Sequence, residues 1–286
     1  MQIGIVFGLL SSVFFAFSYI SLKKSYAEFA PSVAFFVDAL LGLLIWVPFA
    51  LYLGITSYNV LNVLVWAILS AVLSEAYFFF VLSKGEISIT GTLLASYPIY
   101  TAIISRFVNN EILNPTQLVA ITITVLGTVI VATNKKFKFS DLKKHDYLFW
   151  ALSGALAIGL SDSLSKNAID RISMQDFLFA LALVQIPVAL VYLKLEKQPV
   201  GVLVKSITDY KKYKFALIGS FLNIVGVLLL WLAFTNTLAS IASPLTATYP
   251  VLLVILAYFL LKEKIAKKDY YGIALVAIGI ITISLA

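Results

Sequence analysis

Phe215 to Leu261 reads FALIGSFLNIVGVLLLWLAFTNTLASIASPLTATYPVLLVILAYFLL, 47 residues without one charged side chain. As a single helix it would measure about 70 Å at 1.5 Å per residue, against about 30 Å for the hydrocarbon core of a bilayer. It therefore reads as two membrane spans, with the polar Thr235, Asn236 and Thr237 marking the turn. Lipid offers a backbone amide no partner, so only helices and closed barrels cross it. A barrel would show segments of about ten residues with alternating polarity. The apolar runs here are long and continuous, which selects helices.

The rest of the chain has the same character. Of its 286 residues 61% are hydrophobic and 12% charged, about half the charged share of a soluble protein, roughly 25%. No soluble domain can be cut from it. The chain has no cysteine and one histidine, His145 in a lysine-rich loop, which removes thiolate chemistry and cysteine metal sites. The net charge of +7 resides in lysines between the spans, where it sets orientation in the membrane and does not imply nucleic acid. The first span starts near Met1 without a basic n-region or a cleavage site, and reads as a retained helix.

Apolar runs set against polar breaks predict ten transmembrane helices near 3–22, 31–53, 60–83, 88–108, 115–134, 147–166, 174–194, 214–234, 240–261 and 269–286. Pro31 and Pro115 fall at helix starts, where a missing amide proton costs least. Pro98, Pro187 and Pro250 fall inside helices and predict kinks. The connection from Lys135 to Asp146 divides the chain into a first five-helix repeat, 1–134, a linker, 135–146, and a second repeat, 147–286.

The halves match. An offset of 152 superimposes Ser88 on Ser240, Tyr97 on Tyr249, Pro98 on Pro250, Glu111 on Glu263 and Gly127 on Gly279. An offset of 142 aligns Ser11, Ser21, Leu22 and Lys24 with Ser153, Ser163, Leu164 and Lys166. Five spans is an odd number, so the second repeat is inverted relative to the first, a plan that transporters use with a binding site at the repeat interface.

Length, span count, the repeat, the lysines ending the first span of each half (Lys24, Lys166), the glutamates after the fourth (Glu111, Glu263) and the glycines of the fifth (Gly127, Gly279) together resemble the drug/metabolite transporter superfamily, in its EamA-type branch. The resemblance covers essentially the whole chain. It implies an all-α membrane protein of ten transmembrane helices in two inverted five-helix repeats. It further implies a permease for small metabolites, with a central cavity lined largely by the third, fourth, eighth and ninth helices. It names no substrate and no cofactor.

Orientation sets two expectations against each other. The loops after odd-numbered spans hold 18 Lys and Arg, and the opposite side holds only Arg106, Lys166 and Arg171. By the positive-inside rule both termini are then outside, whereas the resemblance implies both in the cytoplasm. The charge count is followed here, because dropping any one loop leaves it lopsided.

An ionised carboxylate within a span costs a few kcal/mol, about 2.5 to 3.5 on insertion scales, so each one needs a partner or a use. Glu75, beside Tyr77 and a run of phenylalanines, reads either as a substrate-ammonium ligand or proton carrier, or as a structural residue held between helices. Asp38, two turns into the second span, carries the same two readings. Asp162 stands four residues before Lys166, a spacing that sets them on one helix face as a structural salt bridge. Tyr97-Pro98 and Tyr249-Pro250 each free a carbonyl one turn earlier, near Leu94 and Thr246, and present a hydroxyl at a kink. Asn223 and Trp231 add an amide and an aromatic wall, and Gln185 a further amide. The candidate substrate-binding residues are therefore Glu75, Tyr77, Tyr97, Asp38, Asn223, Trp231 and Tyr249, with no catalytic, cofactor or metal residue. Glu111 and Glu263 read as helix-end residues. Gly4, Gly8, Ser12 and Ala16, and Ala155, Gly159 and Ser163, read as close-packing faces.

These readings describe a multi-pass carrier of the cell membrane, monomer or homodimer, moving a small metabolite by alternating access. Amino acids or amphiphilic drugs are the leading cargo and nucleotide sugars or sugar phosphates the alternative. No phosphate-binding glycine loop is present, so energy would come from a gradient, with Glu75 the candidate for proton coupling. An intramembrane enzyme and a non-transporting scaffold are the readings of other classes.

Overall fold

The computed structural model describes residues 2–55, 60–84, 93–132, 146–199, 201, 209–252, 254–255 and 267–286. The linker from 135 to 145, His145, Ser88, Glu263 and the ends of the fourth and ninth spans lie outside the described residues. The protein is an all-α membrane fold of ten helices. They are α1 (Gln2–Ser25), α2 (Pro31–Leu53), α3 (Val60–Ser70, continued by a π turn, Ala71–Ala76, and by Tyr77–Ser83), α4 (Tyr97–Val108), α5 (Pro115–Ala132), α6 (Asp146–Arg171), α7 (Met174–Leu195), α8 (Tyr210–Asn236), α9 (Ala239–Thr246, resuming at Tyr249) and α10 (Lys267–Leu285).

Local chemistry sets several boundaries. Pro31 opens α2 and Pro115 opens α5, because proline's φ suits the first turn and its absent N–H has no partner to lose there. Ser173 caps α7, its hydroxyl oxygen accepting from the Asp176 amide at 3.0 Å. Helix α6 runs five residues past the expected end at 166, carrying Lys166 and Asn167, both buried, into the protein. Outward-facing Phe107, Leu44 and Val191 are exposed, as lipid permits.

Pro98 and Pro250 do something sharper than kink, whereas Pro187 lies inside an unbroken α7. Ala95 and Ser96 interrupt the fourth span and Ala247 and Thr248 the ninth, positions exactly one repeat apart in the 152 register. Pro98 and Pro250 each follow their break, and turn bonds close the chain just before it. Ser96 N donates to Leu93 O at 3.2 Å and Ala247 N to Ser243 O at 2.9 Å.

Packing obeys a two-fold exchange of helix n with helix n + 5. α1 packs on α8 as α6 packs on α3, α2 on α8 as α7 on α3, and α1 on α9 as α6 on α4; α2–α7, α4–α9 and α5–α10 pair across the axis. The α5–α10 crossing gives the closest test. A Cβ on Gly127 would stand 2.7 Å from Gly272 O and 2.8 Å from Val276 N, while one on Gly279 would stand 2.9 Å from both Ala120 O and Thr124 N. Gly272 and Val276 are Ala120 and Thr124 shifted by 152, so the crossing maps onto itself. Only glycine permits the approach.

Small residues act the same way between α1 and α8. Ser11 donates to Gly226 O at 2.7 Å and Ser18 to Gly219 O at 2.8 Å, and a Cβ on Gly4 would meet Thr237 at 2.8 Å. Gly159 of α6 sits as tightly on Tyr97, Tyr100 and Thr101 of α4. Such interhelical bonds contribute about 0.6 kcal/mol each on average in membranes.

Two sequence expectations change. Lys166 does not pair with Asp162: its Nζ lies 2.7 Å from Asp170 and donates to Phe234 O at 2.7 Å. Asp170 is half exposed, one turn nearer the surface, and a flexible ammonium moves toward water when acids stand four residues to either side. The lysine that matches Lys166 in role is Lys23, not Lys24. Lys23 Nζ donates to Leu82 O at 3.0 Å and Ser83 O at 3.3 Å, and Leu82 is Phe234 less 152. In both halves a lysine from the first helix neutralises the carbonyl end of the third. Lys24, a helical step round, lies over the Phe215 ring at 5.3 Å. The first-helix register is therefore 143, not 142.

Candidate functional site

The two-fold axis passes through an internal cavity, and the repeat register shows this residue by residue. Tyr97 and Tyr249, Phe78 and Leu230, and Glu75 and Val227 all line it, each pair 152 apart; Phe15 and Ile158, and Tyr19 and Asp162, line it at the 143 register. The walls are thus symmetric in position and asymmetric in chemistry. At Glu75 and Asp162 one repeat offers a carboxyl where the other offers valine or tyrosine.

Glu75 sits inside the π turn of α3 and is 3% exposed. A π turn takes in an extra residue and so redirects the side chains it carries, a device frequent at functional sites. Serines pin it to α6: Ser161 Oγ donates to Ser74 Oγ at 2.9 Å, and Ser74 Oγ to Ser70 O at 3.0 Å. Asp162 accepts from the Ser243 hydroxyl at 2.6 Å and faces Thr101 Oγ1 at 3.5 Å. The Tyr97 hydroxyl donates to Ser243 O at 3.0 Å. One residue of the broken helix α9 therefore holds both an acid and a tyrosine of the site.

An aromatic wall faces the acids. The Tyr19 ring lies 4.8 Å from Tyr249 edge-on and 4.9 Å from Phe78. Trp231 packs edge-to-face on Phe177 at 5.2 Å, and its buried indole N–H has no hydrogen-bond partner. Among the described residues no lysine or arginine lines the cavity. Its free volume for water-sized molecules is about 50 Å³, room for a few waters, so this conformation is contracted around its centre.

On the side of the chain termini Glu111 ties the two repeats together. From the turn after α4 its carboxylate accepts the Ala239 amide at 2.8 Å, the Ser240 amide at 3.0 Å and the Ser240 hydroxyl. This caps α9, a helix of the other repeat, where the dipole favours negative charge.

Of the sequence candidates, Glu75, Tyr97, Asn223, Trp231 and Tyr249 come together around this cavity. Asp38 stands behind it, fully buried, its Oδ1 accepting from Asn223 Nδ2 at 3.1 Å. Tyr77 is on the far face of α3, bonded to Ser153 at 2.7 Å and packed on Phe80 and Trp150 around a groove on the outer surface. Asp162 and Tyr19 were not among the candidates. On its own helix Asp162 has Lys166 as a sufficient partner, and Tyr19 becomes visible only once the 143 register places it opposite Asp162.

Residues 2–133 and again 146–285 match the model of the EamA-like transporter family. The chain belongs to that family. Its members are transporters and not enzymes, and among the described residues no cluster of His, Cys, Asp or Glu could hold a metal ion. The EamA-like chain is also 39% identical over 80 residues to an uncharacterized protein of Methanocaldococcus jannaschii, a match covering 28% of this chain and 58% of that one. A protein known from a crystal structure has the same fold, with TM-score 0.75 at 15% identity over 99% of this chain and 96% of the other.

Proposed function

We propose that this EamA-like protein carries a small metabolite bearing an ammonium or other cationic nitrogen across the membrane by alternating access, with amino acids and amphiphilic amines the leading classes. The single observation that carries the reading is the cavity on the two-fold axis, with two buried carboxyls, tyrosines and a tryptophan, and no basic side chain. A carboxylate in such surroundings attracts an ammonium, and the aromatic faces hold its apolar part and its charge. A phosphorylated cargo would need lysine or arginine there.

The repeats 1–134 and 147–286, joined by the 135–146 linker, rock as two units about the axis. The broken helices α4 and α9 supply the moving parts, as interrupted spans do in carriers built from inverted repeats. Glu75 is the proton carrier, and Glu75 and Asp162 are the cargo ligands with Tyr97 and Tyr249.

Proteoliposome uptake over a panel of amino acids, amines and nucleotide sugars tests this. Saturable uptake of a cationic or zwitterionic cargo, blocked by competitors and reduced at least tenfold by Asp162→Asn, is expected. Absence of uptake across the panel sinks the carrier reading in favour of a scaffold. For coupling, Glu75→Gln should flatten the pH dependence of flux; an unchanged profile rules out Glu75 as the carrier of the proton.

A further inference from the structure

Asp38 is the acid that the cargo cavity does not use, and its surroundings are unusual. It sits in α2 at 0% exposure, packed by α7, α8 and the π turn of α3. Asn223 of α8 offers one amide N–H to Asp38 Oδ1 at 3.1 Å and lines the central cavity together with Glu75. Two carboxyls on different helices thus converge on one neutral side chain. The other titratable groups whose charge acts on Asp38 are Glu75 and the Tyr26 hydroxyl from the α1–α2 turn. Those whose charge acts on Glu75 are Asp162 and Tyr19, which line the same cavity. Among the described residues no lysine, arginine or histidine joins them.

The same layer contains oxygens without partners. Asp38 Oδ2 accepts nothing, and both amide atoms of Gln185, also 0% exposed, are unbonded. Gln185 Oε1 comes within 3.0 Å of the point a Cβ on Gly42 would occupy. Gly42 is one helical turn beyond Asp38, so the glycine leaves open the space into which the amide reaches. Buried acceptors left unpaired beside paired acids are what a bound cation collects.

We propose that Asp38, Asn223 and Glu75 form a site for a single positive charge, a proton or an alkali ion, lying behind the cargo cavity and sharing Glu75 with it. Two facing carboxyls in a medium of low dielectric cannot both ionise without such a charge. Because Glu75 borders both sites, an ammonium in the cavity and a charge on the Asp38 side compete for one carboxylate. Ion movement is then tied to cargo movement in exchange. That coupling rests on the carrier reading, but the site itself can be tested without any cargo.

The experiment uses the full chain in nanodiscs, with no substrate present. Infrared difference spectra across a pH jump report a carboxyl gaining or losing its proton, and thermal midpoints in sodium chloride against choline chloride report an alkali ion. A carboxyl signal abolished by Asp38→Asn and kept by Asp162→Asn, with no sodium effect, identifies a proton. A sodium-specific rise in midpoint lost in Asp38→Asn identifies an alkali ion. Should Asp38→Asn fail to fold, Asn223→Ala is read in its place. A wild-type response that survives in these variants, or no response to either pH or sodium, overturns the proposal and leaves ordered water as the occupant. Failed uptake of every cargo would sink the carrier reading and leave this result standing.

Discussion

Replacing Glu111 by alanine removes, in one step, the acceptor for three donors at the start of α9. Ala239 and Ser240 are both 0% exposed, so their amides have no water to turn to. Each buried donor left unpaired costs about 1–3 kcal/mol. The Ser240 hydroxyl can rotate to another acceptor and is counted as nothing. Two stranded amides, with some relief as the first turn frays, give about 2–4 kcal/mol of destabilisation for E111A. E111Q keeps one good acceptor and should fall near half of that. S240A deletes only the hydroxyl contact and should cost about 1 kcal/mol. Reversible unfolding in detergent micelles measures the series, and the order E111A, then E111Q, then S240A is as diagnostic as the sizes. An E111A midpoint indistinguishable from wild type would refute the reasoning, because it would mean that α9 starts equally well without its cap. The same helix carries Ser243, the partner of Asp162 and Tyr97, so E111A should also weaken cargo binding although Glu111 touches no cargo.

The lysine assignment separates two neighbours: Lys23→Met should cost about 1–2 kcal/mol by stripping charged bonds from the α3 carbonyl end, while Lys24→Met, whose ammonium only overlies a phenylalanine, should stay within about 0.5 kcal/mol in the same unfolding assay. At the α5–α10 crossing, Gly279→Ala sets a Cβ against Thr124 and the Ala120 carbonyl. Overpacking of about 1–3 kcal/mol outweighs a gain in helix propensity of up to about 1 kcal/mol. Adding Gly127→Ala should cost less than its single-variant value, since one separation of the helices relieves both contacts; strict additivity would argue against a shared crossing. A fluorescent reporter that folds only in the cytoplasm, fused to Ala286, should remain dark if the lysine distribution sets the orientation, and bright cells would reverse that assignment.

Much of the site is legible in the sequence, for reasons of solvent. In lipid a polar residue is costly enough to stand out, so Glu75, Asn223, Tyr97, Tyr249 and Trp231 could be picked from one sequence, and they converge on one cavity. Asp162 was passed over because a lysine four residues away is a sufficient partner on an isolated helix. Only the exposure of Asp170 and the carbonyl of Phe234 decide which acid that lysine takes. Tyr77 stands two residues from Glu75, and residues two apart on a helix point about 200° apart, which puts the tyrosine on the outer face. Nor does any sequence signal mark Ala71–Ala76 as a π turn. The contact that accompanies it, Ser161 of α6 on Ser74, is tertiary.

The sequence by itself determined that the chain lives in a bilayer, that its spans are helices and that they come in two related sets, because backbone satisfaction in hydrocarbon depends on composition and run length and not on partners. Tertiary structure alone decided which lysine serves each repeat, where the two broken helices interrupt, and which acids face one another across Asn223. Those outcomes depend on the rotation of each helix about its own axis, and that rotation is set by what packs against it.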